Sequence, residues 1–130
     1  MRQQTKNWLD EFGDDYNKAI AAMQRQMLPY PQPTTRKPEW KKDFTSKDIE
    51  PFGKAMAQWE AEQASLQTQR EAYAERAAAL NECMREYLED VANIKAVPEQ
   101  YREKVWSNAR QAGSWEDTYC RLRNLIEIFE

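Results

Sequence analysis

Large apolar residues recur at every seventh position through the middle of the chain. They are Phe52, Trp59, Leu66, Tyr73, Leu80, Tyr87 and Ile94. The residues that lie four positions after each of the first six are Met56, Gln63, Arg70, Ala77, Met84 and Val91. Together these positions, which we name the seam, alternate in steps of four and three, as the core positions of a coiled coil do. The pattern predicts one very long coiled-coil helix over about residues 50–95, with one side facing another helix.

Shorter amphipathic segments flank this helix, and isolated proline and glycine residues mark their ends. We therefore expect a single all-α domain over residues 1–130, a helical bundle with three shorter helices packed along the long one. The predicted segments are a helix over 5–27, a Pro-rich basic loop over 28–47, the long helix over 48–96, and a C-terminal helical hairpin over 98–112 and 114–130. Tyr101 and Val105 keep the phase of the seam, so a kinked continuation of the long helix past Pro98 is an alternative to a turn.

The loop over 28–47 breaks the helical pattern and places aromatic residues among cations. Its prolines are Pro29, Pro31, Pro33 and Pro38, its cations are Arg36, Lys37, Lys41, Lys42 and Lys47, and its aromatic residues are Tyr30, Trp40 and Phe44. A loop of this length without structure of its own is uncommon unless it packs, binds or moves. Trp40 is the best candidate for an exposed anchor, because tryptophan, tyrosine and arginine dominate the binding energy of interfaces.

The middle of the seam is weaker than its ends. Gln63 and Arg70 occupy core positions there and Ala77 is small, whereas bulky residues fill both ends. Two interpretations stay open. Either the ends pack on the chain's own helices and the middle is exposed, or the long helix pairs with a second chain and the polar residues set the register. A homodimer is one form of the second interpretation, as an antiparallel pair centred near Tyr73. Residues 59–77 are where we expect a second chain, identical or foreign, to lie.

The amino-acid composition limits the kinds of chemistry that the chain can perform. The chain has no histidine, the commonest general base and metal ligand, and its glycines stand alone rather than in a phosphate-binding loop. We therefore expect no enzyme, no cofactor and no metal site. Cys83 and Cys120 are expected to be reduced, with a disulfide between the long and last helices as the alternative. Without a signal-peptide core or a bilayer-spanning apolar stretch, a cytoplasmic protein without membrane contact is expected.

These observations favour a non-catalytic protein–protein interaction protein, an adaptor or inhibitor that binds a protein partner through a helical surface. A small chain without a catalytic set or targeting signal is also typical, in style alone, of phage accessory and anti-defence proteins. The predicted partner-binding residues are Arg36, Lys37, Trp40, Lys41, Lys42, Phe44, Trp59, Gln63, Leu66, Arg70, Tyr73 and Ala77.

The alternative function is that of a nucleic-acid-associated accessory protein. It would use the basic aromatic loop 36–47 for phosphate contact and base stacking. The formal net charge of -3 argues against a strong global attraction to nucleic acid, so this function ranks second. The same loop has a third option, which is to dock on an acidic surface, either the chain's own near residues 82–90 or a partner's.

Overall fold

The computed structural model describes residues 1–27 and 29–130, and these are all-α, as the sequence predicts. They contain five α-helices and no strand: α1 Gln3–Phe12, α2 Tyr16–Gln26, α3 Ile49–Ala92, α4 Glu99–Ala109 and α5 Trp115–Glu127. The chain divides into two compact units, unit 1 with Met1–Met27 and Ala78–Glu130 and unit 2 with Leu28–Ala77. The long helix α3 contributes residues to each unit, and the shorter helices pack with its unit 1 part in one core.

The predicted first helix is in fact two helices, α1 and α2, because the chain turns between Gly13 and Asp15. Gly13 has φ +57° and ψ −119°, a backbone conformation that residues with a side chain rarely adopt. The Asp15 carboxylate then caps α2 by accepting the backbone N–H of Lys18 at 3.3 Å. The hydroxyl of Tyr87 on α3 donates to the carbonyl of Gly13 at 2.7 Å. A buried side chain of the long helix therefore holds this turn in place.

The long helix ends at Ala92, earlier than the Val97–Pro98 boundary that the sequence predicts. Asn93 has φ +64°, and asparagine is among the few residues with a side chain that tolerate the left-handed region. Arg123 on α5 donates through Nη1 to the carbonyl of Ala92 at 2.9 Å, and so satisfies an acceptor that the helix end leaves unpaired. The chain turns before α4 begins, and the kinked continuation does not form.

The hydrophobic core of unit 1 draws on all five helices. Its most deeply buried side chains include Trp8, Ile20, Met84, Tyr87, Leu88, Trp106, Leu122 and Ile126. Burying each large apolar side chain stabilises the fold by about 1.5–3 kcal/mol. The seam residues Leu80, Met84 and Tyr87 lie in this core at 7% exposure or less. In unit 1 the seam therefore faces other helices, as the heptad pattern predicts.

Unit 2 consists of the first part of α3 and the chain that precedes it. The two are joined by a capping box, in which the Thr45 N–H donates to the Asp48 carboxylate at 2.7 Å and the Thr45 hydroxyl accepts the N–H of Lys47 at 3.4 Å. One 3₁₀ turn, Ser46–Asp48, leads directly into α3 at Ile49. The reversal places the Pro-rich residues before the box alongside the helix that follows it.

Candidate functional site

The Pro-rich segment of residues 29–44, which we name the strap, lies along α3 within unit 2. It runs antiparallel to the helix, because Tyr30 near its beginning contacts Tyr73 and Trp40 near its end contacts Phe52. The strap therefore covers the middle of the seam. The sequence left a choice there between an exposed face and a second chain, and the structure instead places the chain's own loop on it.

The first strap contact uses the polar core residue Arg70. The ring of Tyr30 stands edge-on to Tyr73, with centroids 5.4 Å apart. The Arg70 guanidinium lies 5.0 Å from the centroid of the Tyr30 ring, and its Nε donates to the Pro31 carbonyl at 3.2 Å. Arg70 interrupts the apolar pattern of the seam, and within unit 2 its function is to bind the strap backbone.

The second strap contact is a single carboxylate, that of Glu62. It accepts hydrogen bonds from the backbone N–H and the hydroxyl of both Thr34 and Thr35. These bonds, the one from the Thr35 hydroxyl first, hold the pKa of Glu62 below its ordinary value, because they favour the charged form. The strap bends at these two threonines. Glu62 therefore fixes the position of the strap along the helix.

The last strap contacts are aromatic. The Lys37 ammonium lies 5.4 Å from the centroid of the Trp59 ring. Trp40 stands edge-on to Phe44 and to Phe52, with centroids 5.0 and 5.2 Å apart. Such pairs each contribute about 0.5–1.5 kcal/mol beyond the area they bury. The end of the strap is therefore held by an aromatic cluster at the start of α3.

The strap and the helix match in length. An extended polyproline-like chain rises about 3.1 Å per residue, so Pro31 to Trp40 spans about 28 Å. An α-helix rises 1.5 Å per residue, so Phe52 to Arg70 spans about 27 Å. Contacts at both ends and in the middle can thus form together, with a local bend at Thr34 and Thr35. The prolines favour the extended conformation that this match requires.

The strap covers the seam only in part. Of the described residues in unit 2, Leu66 is the one apolar side chain that is fully buried, at 5% exposure. The other unit 2 seam positions, from Phe52 to Ala77, are half-buried. Tyr30 and Trp40 remain 47% and 50% exposed although they contact the helix. Unit 2 is therefore a thin structure with aromatic surface open to solvent.

The structure brings part of the predicted partner-binding set together. Lys37 with Trp59, and Arg70 and Tyr73 with the start of the strap, form contacts as described, and Phe44 lies in the aromatic cluster. Gln63 and Ala77 are half-buried. No side-chain hydrogen bond joins Gln63 to the strap in the described residues. That any of these residues binds a partner stays a prediction.

Three predicted cations of the strap point to solvent. Arg36, Lys41 and Lys42 are exposed, and no carboxylate of the described residues lies within ion-pair distance of them. They border the half-exposed Trp40 in sequence. The outer surface of the strap therefore carries these cations, and the exposed carboxylates of Glu39 and Asp43, around one half-exposed aromatic ring.

Five of the residues that hold the strap in place were not in the predicted binding set. They are Tyr30, Thr34, Thr35, Phe52 and Glu62. Glu62 lies beside the seam, where a carboxylate is usually a solvated side chain. The one signal that could have found it is the pair of adjacent threonines in an otherwise Pro-rich segment, since hydroxyl and N–H donors there need an acceptor.

An open groove lies at the beginning of the strap. It has a volume of about 390 Å³ and is lined by Pro29, Pro31, Gln69, Ala72, Tyr73 and Arg76. Its walls are mostly apolar, with Arg76 and Gln69 as the polar groups. A groove of this size accommodates a large side chain of a partner.

Other kinds of site were sought in the described part of the chain. No cluster of three or more potential metal ligands occurs in residues 1–27 and 29–130. None of the helices in the same ranges combines the length and the apolar character needed to cross a bilayer. Cys83 is buried and Cys120 is exposed, and both are free cysteines.

The chain was compared with protein-family models, with curated proteins and with solved structures. None of them matches it.

Proposed function

We propose that this is a non-catalytic binding protein, an adaptor or inhibitor, that engages a protein partner through unit 2. The observation that supports this most directly is the incomplete covering of the seam by the strap. Leu66 is the one fully buried apolar side chain in the described part of unit 2, while aromatic residues around it stay partly open. A partner that packs on α3 and the strap as a third layer would bury these aromatic residues. Their burial would stabilise the complex through the hydrophobic effect.

The chemistry of the open surface fits a protein partner. Tryptophan and tyrosine are enriched where interfaces carry most of their binding energy, and Trp40 and Tyr30 are each about half-exposed. Both rings are already held by contacts with α3, so binding costs little further side-chain entropy. The cations around Trp40 suit an acidic rim on the partner, which would raise the association rate.

The test is affinity capture with a matched control. Wild-type protein, Trp40→Ala and Tyr101→Ala are immobilised and exposed to a lysate of the organism that makes the protein. Tyr101 lies in unit 1 and is 41% exposed, close to the 50% of Trp40. A partner should be recovered with wild type and Tyr101→Ala and lost with Trp40→Ala.

The recovered partner is then purified and its affinity is measured. A hot-spot residue is worth about 2 kcal/mol or more, so Trp40→Ala should weaken binding about 30-fold. Recovery of the same proteins by all three forms, or an affinity that Trp40→Ala leaves unchanged, would overturn the proposal.

A second candidate function is contact with single-stranded nucleic acid. It is favoured by the exposed cations Arg36, Lys41 and Lys42, which form no ion pair within residues 1–27 and 29–130, and by the half-exposed Trp40 ring in the same loop. The logarithm of the single-strand binding constant falls linearly with the logarithm of the salt concentration. Each lost phosphate contact should reduce the size of that slope by about 0.7. Lys41→Ala/Lys42→Ala should therefore lower it by about 1.4 in a mobility-shift titration, whereas the control Lys95→Ala/Lys104→Ala should not. Absence of binding at low salt would exclude this function.

A further inference from the structure

The two parts of the seam are covered differently. In unit 1 the seam faces other helices, and Leu80, Met84 and Tyr87 are buried there. In unit 2 it faces the extended strap, and its positions apart from Leu66 stay half-buried. A repeat of seven residues is the pattern that packs against a second helix. The unit 2 part of the seam therefore has the pattern for a helix but is covered by an extended chain.

A second copy of the same helix is complementary to this face. When two copies of residues 52–77 run antiparallel about a two-fold axis between Ala64 and Ser65, all eight seam positions of unit 2 meet a seam position of the other copy. The resulting layers are Phe52 with Ala77, Met56 with Tyr73, Trp59 with Arg70, and Gln63 with Leu66. Each layer pairs a bulky apolar side chain with a smaller or more flexible one, which is how facing core positions fill space.

The extent of the seam within unit 2 selects this register. A shift of the axis by half a repeat toward the N-terminus of α3 leaves Tyr73 without a seam partner. A shift in the opposite direction, toward the centre near Tyr73 considered in the sequence analysis, requires Leu80 and Met84, which are already buried in the core of unit 1. The register centred between Ala64 and Ser65 is the one that uses the unit 2 seam completely and takes nothing from unit 1.

The residues that flank the seam agree with this register. In an antiparallel pair, the positions just before Met56, Gln63, Arg70 and Ala77 lie on one flank of the seam and face one another across the two copies. Glu62 then faces Gln69, and Ala55 faces Arg76. On the other flank Glu60 faces Gln67. No like charges oppose each other among these pairs, so the arrangement avoids the repulsion that selects against wrong registers.

We propose that residues 52–77 of α3 form an antiparallel interface with a second copy of this chain, and that the strap and the second copy compete for the same face. The inference rests on one part of the proposed function, that unit 2 binds a protein. It takes the partner to be a second copy, which packs on the seam after the strap has left and not on the strap itself. The competition follows from shared residues, since Tyr73, Trp59 and Phe52 contact the strap and are also the bulky residues of the layers. The strap must leave the seam before the two helices pair.

The first experiment weakens the strap without changing α3. Tyr30→Ser/Lys37→Ser removes the contacts with Tyr73 and Trp59. The control Gln32→Ser/Arg36→Ser also makes two changes and removes one cation, at exposed positions. Sedimentation velocity from 1 to about 200 µM measures self-association. The strap variant should dimerise about tenfold more tightly than wild type, and the control should behave as wild type. A strap variant that stays monomeric with wild-type helix content in circular dichroism would overturn the proposal.

The second experiment tests the register and keeps the strap sequence intact. Met56→Cys/Tyr73→Cys in a Cys120→Ser background places two thiols in the same layer of the antiparallel pair, within disulfide reach of each other across the interface. Oxidation should yield a covalent dimer. The single variant Met56→Cys should not cross-link, because the two copies of residue 56 lie 17 positions apart in this register, about 25 Å along the helix.

Cross-linking by Met56→Cys alone would indicate a parallel pair and would overturn the proposal, as would absence of cross-linking by the double variant. The proposed function is judged separately. A chain that stays monomeric but captures a foreign protein in a Trp40-dependent manner keeps that function and loses this inference.

Discussion

Tyr87→Phe tests how the turn between α1 and α2 is held. Tyr87 is fully buried, and its hydroxyl donates to the Gly13 carbonyl at 2.7 Å. Burial first, and then the negative charges of Asp15 and Asp14, raise the pKa of Tyr87 to about 12. The substitution removes the hydroxyl and the proton and keeps the ring. It therefore separates the hydrogen bond from the packing.

Two effects with different pH dependence follow. Near neutral pH the lost hydrogen bond should cost about 1 kcal/mol, since Gly13 is exposed and water replaces the donor. In wild type the pKa of Tyr87 is higher in the folded state than the unfolded value of about 10. Its contribution to stability is thus fully present below pH 10 and is lost as pH rises toward 12. By pH 11 the free energy of unfolding of wild type has fallen by about 1.4 kcal/mol through this ionisation. Tyr87→Phe has no hydroxyl to ionise and does not lose this stability.

Urea denaturation followed by circular dichroism at pH 8, 9.5 and 11 measures both effects. The variant should be less stable than wild type by about 1 kcal/mol at pH 8, and it should be more stable by about 0.4 kcal/mol at pH 11. All other side chains are the same in the two proteins, so their contributions cancel to first order in the difference. A difference that stays constant from pH 8 to pH 11 would refute the assignment of the raised pKa to this buried hydroxyl.

Three further predictions follow from backbone geometry, packing and exposure. Gly113→Ala should destabilise the protein by about 1–2 kcal/mol, because Gly113 has φ +89°. Gly53→Ala should stabilise it by about 0.5–1 kcal/mol, because Gly53 lies in α3 with open space around it. Thermal unfolding measures both effects. Leu66→Ala should cost about 2 kcal/mol in urea denaturation, near the lower end for a buried leucine because so thin a unit can partly close the cavity. A thiol reagent should modify Cys120 in the native protein and Cys83 only after unfolding, as peptide mass spectrometry would show.

The seam is the feature that sequence predicts best. Every seam position from Phe52 to Ile94 is buried or half-buried in the structure, because a repeat of three and four residues directly reports one face of a helix. What covers that face is not encoded in the repeat. An extended segment has no periodic signature of this kind, so the strap could be recognised as unusual but not assigned to its position on α3.

The helix ends show the same limit. Gly13 and Asn93 each interrupt a helix that the apolar pattern alone would continue, and both depend on partners distant in sequence. Tyr87 binds the carbonyl of Gly13, and Arg123 binds that of Ala92. Glu62 likewise acquires its function only when Thr34 and Thr35 are brought beside it. Local pattern predicts the elements, whereas long-range polar contacts decide where they stop and what they touch.

The division into two units has a consequence for the order in which the chain is synthesised. Unit 2 is continuous, and its strap emerges from the ribosome before the helix that it covers, so Phe52 and Trp59 meet their cover as soon as they appear. Unit 1 is discontinuous. The apolar faces of α1 and α2 must wait, unburied, until residues 78–130 have been made. The nascent chain therefore exposes its N-terminal helices, rather than its long seam, to misfolding and to chaperones.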